Sequence, residues 1–160
     1  IYALESPHPA EVLRKLDDAL RGELETTEMF VSLCYVVIDP EAEELRYSNA
    51  GHPHAWVFRT DGDSERLVAT DPPLGFAGSD SYSEEQVPWR SGDLLVLFTD
   101  GLSDTLATPE PGSGEAAVDE TVKKELDKDP THIVDVLFDM AEVAIPYIPA
   151  DDRTALVLRT

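Results

Sequence analysis

Leu94-Leu95-Val96-Leu97-Phe98-Thr99-Asp100-Gly101 reads as an apolar strand that ends on a carboxylate. The unbroken run from Leu94 to Phe98 has no polar face, so the strand is expected at the centre of a sheet and covered on both sides. Asp100 stands at its exit in what reads as a tight turn, where Gly101, lacking a Cβ, lets the backbone bend and approach a bound ion. A second apolar strand, Thr154 to Arg159, carries acid at its entrance in Asp151-Asp152. Side chains at such edges are held by the sheet yet reach solvent, the placement that a hard metal ion needs. One Asp-Gly pair is also an ordinary turn. The signal lies in two acidic strand ends occurring together.

Working outward, Ala10 to Leu20 repeats apolar residues every three or four positions, a helix with one buried stripe and Pro9 in its first turn. Asp17 and Asp18 fall on its polar side by that count. The period then shortens. Met29 to Ile38 is a strand dense in β-branched and aromatic residues, Asp39 to Glu43 a turn, and Glu44 to Ser48 its antiparallel return. Ala55 to Arg59 and Arg66 to Ala69 read as further strands about the turn Thr60-Asp61-Gly62-Asp63. Thr70 to Ser83 holds Asp71-Pro72-Pro73-Leu74-Gly75 and is a loop. Gln86 to Trp89 fits an edge strand. After the Pro/Gly-rich loop Ala107 to Gly114, one helix is expected from Glu115 to about Leu126 and a second from Asp129 through Ala141, ended or bent by Pro146 and Pro149. Meander strands with segregated helices point to an α+β layered domain spanning residues 1–160.

Composition bounds the function. The chain of 160 residues is long enough for one well-buried domain. Its 33 acidic against 12 basic residues, a net charge of -21, repel nucleic acid and anionic lipid. No run of about 18 apolar residues is present to cross a bilayer. The only cysteine, Cys34, lies in an apolar strand and reads as a small buried hydrophobe in a protein of the reducing cytoplasm. No signal peptide is visible, and the chain opens on Ile1 rather than Met.

Carboxylates select hard cations such as Mg²⁺ or Mn²⁺. Of the four histidines, His52 and His54 share one turn while His8 and His132 stand apart, so zinc is not indicated. Neither Cys34 nor Ser103 shows a base and an orienting group at nucleophile spacing. Two carboxylate-bridged cations would activate a shared water and neutralise a phosphoryl group without a side-chain nucleophile.

Taken in order, Met29-Phe30-Val31-Ser32-Leu33, Leu45-Arg46-Tyr47-Ser48-Asn49-Ala50-Gly51-His52-Pro53, Pro73-Leu74-Gly75, Gly92 to Leu102 and Asp151-Asp152-Arg153-Thr154 resemble the metal-dependent protein phosphatases. The resemblance is to their bacterial branch of stage II sporulation and sigma-factor regulatory enzymes, PP2C-like in fold (SpoIIE/RsbU-like). It implies an αββα sandwich of mostly antiparallel sheets, with Mn²⁺ or Mg²⁺ held at one end. By the same resemblance Asp100 and Asp151 are catalytic metal ligands, Gly101 and Asp152 belong to the metal site, and Asn49, Gly51 and His52 form a turn. The implied reaction is hydrolysis of phosphoserine or phosphothreonine on a regulatory protein, such as the antagonist of an anti-sigma factor. Members carry a Gly-Asp word and a further Asp word ahead of the opening helix. Neither occurs here, so the domain is expected to be incomplete at its N-terminus. The competing expectation is a phosphatase-fold module that binds partners without catalysis.

Overall fold

The computed structural model describes residues 7–76, 82–144 and 151–160. The chain divides into two compact units, Ile1–Pro53 with Leu67–Arg90 and His54–Arg66 with Ser91–Thr160.

In the first unit, helix α1 (Pro9–Thr27) packs on a three-stranded sheet of order β1-β2-β5, formed by Leu33–Asp39, Glu44–Ala50 and Glu85–Pro88. Both pairings are antiparallel. The expected edge strand near Gln86 is β5, at the margin of this sheet. The α1 stripe of Leu13 and Leu24 is buried with Ala50, Leu74 and Tyr82. Each aliphatic side chain so buried contributes about 1.5–3 kcal/mol of transfer free energy.

Asp17 departs from its expected place on the polar side of α1. It is buried, its Oδ1 accepts the Gly75 N–H at 2.8 Å, and its Oδ2 pairs with Arg21 at 3.1 Å. A long-range backbone donor and a neighbouring cation offset the cost of burying its charge.

Asn49 ends β2. Its amide holds the turn that follows: Oδ1 accepts the His52 N–H at 2.8 Å, and Nδ2 donates to the carbonyls of His52 and Leu67, both at 2.9 Å. The structural role read for His52 rests on this turn. Gly51 takes φ +74°, and a Cβ there would lie 2.6 Å from the Pro73 ring. Both conditions favour glycine.

The second unit holds a four-stranded antiparallel sheet of order β4-β3-β6-β7, formed by Ser64–Arg66, Ala55–Phe58, Leu94–Phe98 and Ala155–Arg159. β6 is central, as its unbroken apolar run required. Leu94, Val96 and Phe98 form one buried cluster with Leu102, Val118, Ile133 and Leu137 from helices α2 (Asp100–Leu106), α3 (Ser113–Lys124) and α4 (Pro130–Ala144). Two strand expectations shift. The strand after the Thr60 turn spans Ser64–Arg66 rather than Arg66 to Ala69, because pairing Phe58 with Ser64 closes the shorter hairpin. Met29 to Ser32 precede β1 instead of opening it. The expected break at Pro146 and Pro149 lies outside the described residues.

Arg59 donates to Asp93 at 3.0 Å and to Glu65 at 2.6 Å. Burial alone would lower its pKa, but hydrogen bonds and charge from Asp93 and Glu65 outweigh this and raise it. Arg159 closes the far end of the unit by donating to the carbonyls of Leu126 and Lys128.

Cys34 is half-buried on β1, short of the full burial expected, and burial pushes its thiol up from 9.0 to about 12. The thiolate, not the thiol, is the nucleophile. Alkylation at pH 8 is therefore expected to run at least about tenfold slower in the folded chain than in denaturant, read by mass spectrometry. The folded chain keeps this proton after the unfolded chain has lost it, so the contribution to stability falls as pH rises from 9.0 to about 12.

Candidate metal centre

The site grows from the pairing of β6 with β7, in which Phe98 lies opposite Ala155. That register brings the residue leaving β6 beside those entering β7. Thr99 fastens them: its N–H donates to the Thr154 carbonyl at 3.0 Å, its hydroxyl donates to the Asp152 carbonyl at 3.0 Å, and the same hydroxyl accepts the Thr154 N–H at 2.9 Å. A Cβ on Gly101 would lie 2.6 Å from the Asp152 carbonyl oxygen and 3.0 Å from that of Asp151. Only glycine admits this approach of two backbones without displacement. Asp100, Gly101, Asp151 and Asp152, far apart in the chain, thus share one edge of one sheet.

Asp100 does not lie in the tight turn expected for it. It opens α2, a helix of 7 residues whose N-terminus favours a negative charge. The helix forms because Leu102 and Leu106, four residues apart, both meet the core. Asp100, Asp151 and Asp152 are all solvent-exposed, whereas Gly101 is buried. Asp100 Oδ1 accepts the Gly101 N–H at 3.1 Å, and Asp151 Oδ1 accepts the Asp152 N–H at 2.8 Å. The Gly101 carbonyl accepts the Thr105 hydroxyl at 2.7 Å. What Gly101 brings to this edge is its missing Cβ.

The three exposed aspartates at this edge offer hard carboxylate oxygens, the kind of donor that suits Mg²⁺ or Mn²⁺. The donor set fits such an ion. It is a partial set, since among the described residues no three Asp, Glu, His or Cys side chains converge closely enough to hold an ion unaided.

Close by is a buried group that inspection of the sequence passes over. His54 Nε2 lies 3.2 Å from Ser103 Oγ, and His54 Nδ1 lies 3.7 Å from Glu115 Oε1. A cavity of about 280 Å³ is lined by His54, Ser103, Asp104, Gly114 and Glu115, among others. Gly114 is indispensable to it, because a Cβ there would overlap the Ser103 carbonyl. His54 and Ser103 are 49 positions apart, and only the β3–β6 register, with Ala55 opposite Leu97, brings them together.

The fold is that of PP2C-like domains, as the solved structures it matches show. The SiaA-PP2C domain of Pseudomonas aeruginosa matches with a TM-score of 0.81 at 22% identity, over 99% of this chain and 63% of that one. The catalytic domain of the serine/threonine phosphatase PstP, solved in complex with 2 manganese ions, matches with a TM-score of 0.66 at 15% identity, over 91% of this chain and 66% of that one. The chain belongs to the Stage II sporulation protein E (SpoIIE) family, whose model matches residues 1–160. Among curated relatives, phosphoserine phosphatase RsbP of Bacillus subtilis is 30% identical over 103 residues, 62% of this chain and 26% of that protein. The chain spans between 20% and 32% of the length of the curated relatives it matches.

Proposed function

We propose that residues 1–160 belong to a single phosphatase domain that hydrolyses phosphoserine or phosphothreonine on a regulatory protein with the help of Mn²⁺ or Mg²⁺. The observation that carries this reading is that Thr99 and Gly101 bring the backbone at Asp100 against that of Asp151 and Asp152 at one edge of the sheet. Asp100 and Asp151 are the ligands, with Asp152 beside them and Gly101 permitting the close approach. When bound, such cations supply a nucleophile at neutral pH and neutralise charge on the transferring phosphoryl group. The chain's own residues position that chemistry: Thr99 ties the two acidic ends together, and α2 presents Asp100 at its N-terminus. The manganese ions of PstP and the phosphoserine substrate class in the name of RsbP support the reading. The protein partner is proposed to be the phosphorylated antagonist of an anti-sigma factor, met in the cytoplasm. Among the described residues no helix is long and apolar enough to cross a membrane.

The test is release of inorganic phosphate from a phosphoserine protein with Mn²⁺ present. Release is expected to fall to background on chelation and to return when Mn²⁺ is restored. Activity that survives complete chelation sinks the proposal. A binding-only module is the second reading, favoured by the partial ligand set among the described residues. It predicts retention of the phosphorylated partner with no phosphate released.

A further inference from the structure

We propose that His54 is a positioning residue that fixes the first helical turn of α2, which begins at Asp100, acting through Ser103; its value for metal binding rests on the phosphatase reading above. His54 grips the exit of β6 in three ways. Its carbonyl accepts the Phe98 N–H at 3.1 Å. Its ring stacks on that of Phe98, with centroids 4.5 Å apart and planes within 4°. Its Nε2 lies 3.2 Å from Ser103 Oγ, and that hydroxyl donates to the Asp100 carbonyl at 3.0 Å. Both His54 and Ser103 are 5% exposed. The direction of the Nε2–Oγ hydrogen bond follows the tautomer of the ring, and the hydroxyl serves the Asp100 carbonyl and the imidazole together when the ring donates. Glu115 faces the other ring nitrogen, and its second oxygen lies 3.3 Å from Arg66.

A helix as short as α2 gains little from its own hydrogen bonds, so its first turn depends on such tethers. Metal ligands need placement to about 0.5 Å, and loss of an outer partner costs roughly 10–100-fold in affinity. Stacking alone would be served by phenylalanine. The imidazole adds the link to Ser103. Although Ser103, His54 and Glu115 stand in the order of a nucleophile, base and orienting acid, Ser103 Oγ is buried in α2 and bonded to its own helix, a placement suited to holding the turn.

Two measurements on the full chain separate the parts: amide hydrogen exchange without metal, and calorimetric Mn²⁺ titration. His54→Phe keeps the stack and removes the ring nitrogen that meets Ser103. It is expected to speed exchange of the Leu102 amide, which donates to the Thr99 carbonyl at 3.0 Å, at least tenfold, while Val57 and Val96 change less than twofold. The Mn²⁺ dissociation constant should rise about tenfold, and His54→Gln, which restores a donor, should recover most of both effects. Ser103→Ala removes the same link and carries the same expectation should His54→Phe fail to fold. Exchange at Leu102 that is unchanged, or that quickens equally throughout the unit, overturns the positioning role. If Leu102 responds but the native chain binds no Mn²⁺, the metal reading fails and the positioning of the turn stands. If all variants bind Mn²⁺ as the native chain does and Leu102 is unmoved, the positioning fails and the metal reading stands.

Discussion

Asp100→Asn is expected to lower phosphate release by about 100- to 1,000-fold while leaving the fold intact. The magnitude follows from the several kcal/mol of charge stabilisation that a bound divalent ion supplies, each 1.36 kcal/mol being about a factor of ten in rate. Asparagine keeps the size of the side chain, and its carbonyl oxygen can still accept the Gly101 N–H that Asp100 accepts at 3.1 Å. What it removes is the negative charge that the proposed cation site calls for. Asp100 is exposed, so its replacement leaves no cavity and the thermal midpoint should move by less than about 2 °C. The checks are phosphate release across a range of Mn²⁺ concentrations and a melting curve of the same sample. Unimpaired turnover would remove Asp100 from the catalytic set. A collapsed melting curve would make the loss uninformative about metal, and Asp151→Asn, at an equally exposed position, then carries the same expectation.

The second large effect is on stability. Gly114→Ala should destabilise the chain by about 2–3 kcal/mol, although helix propensity alone predicts a gain of about 1 kcal/mol for this change. The opposing term is steric. Gly114 lies in the first turn of α3, against the backbone of α2, and an added Cβ would overlap the Ser103 carbonyl oxygen. Backbone cannot swing aside as a flexible side chain can, so α2 and α3 must separate, taking Leu102 and Val118 out of contact in the shared core. At this chain length the loss corresponds to a fall in thermal midpoint of about 4–12 °C, measurable by calorimetry. A midpoint raised by the substitution would show that α3 shifts freely. Because Ser103 lies at the point of overlap, the same variant should also weaken the link from His54 to the Asp100 turn.

Much of this architecture was legible in neighbouring residues. The apolar run Leu94 to Phe98 announced a central strand, because a strand covered on both faces needs no polar alternation. The stripe of α1 announced its buried face. Gln86 lies in an edge strand as expected, and the words around Asn49 and Asp100 pointed to the family that the full-length match establishes. Where reading from neighbours failed, a distant partner had overridden the local pattern. Asp17 looked solvated on α1, yet the Gly75 amide, 58 positions away, holds it in the interior. Asp100 looked like a turn residue, yet contacts of Leu102 and Leu106 with the core draw it into a helix.

By itself, then, the sequence determined the longer helices, the central strand and the two acidic strand ends, because burial periodicity and turn chemistry act over a few residues and are written in their order. Tertiary structure alone decided that those ends meet, that Thr99 fastens them, and that His54 and Ser103 lie behind Asp100. Each of these depends on strand register, and register is set by the packing of whole strands that lie far apart in the chain, so no single residue in either motif encodes it.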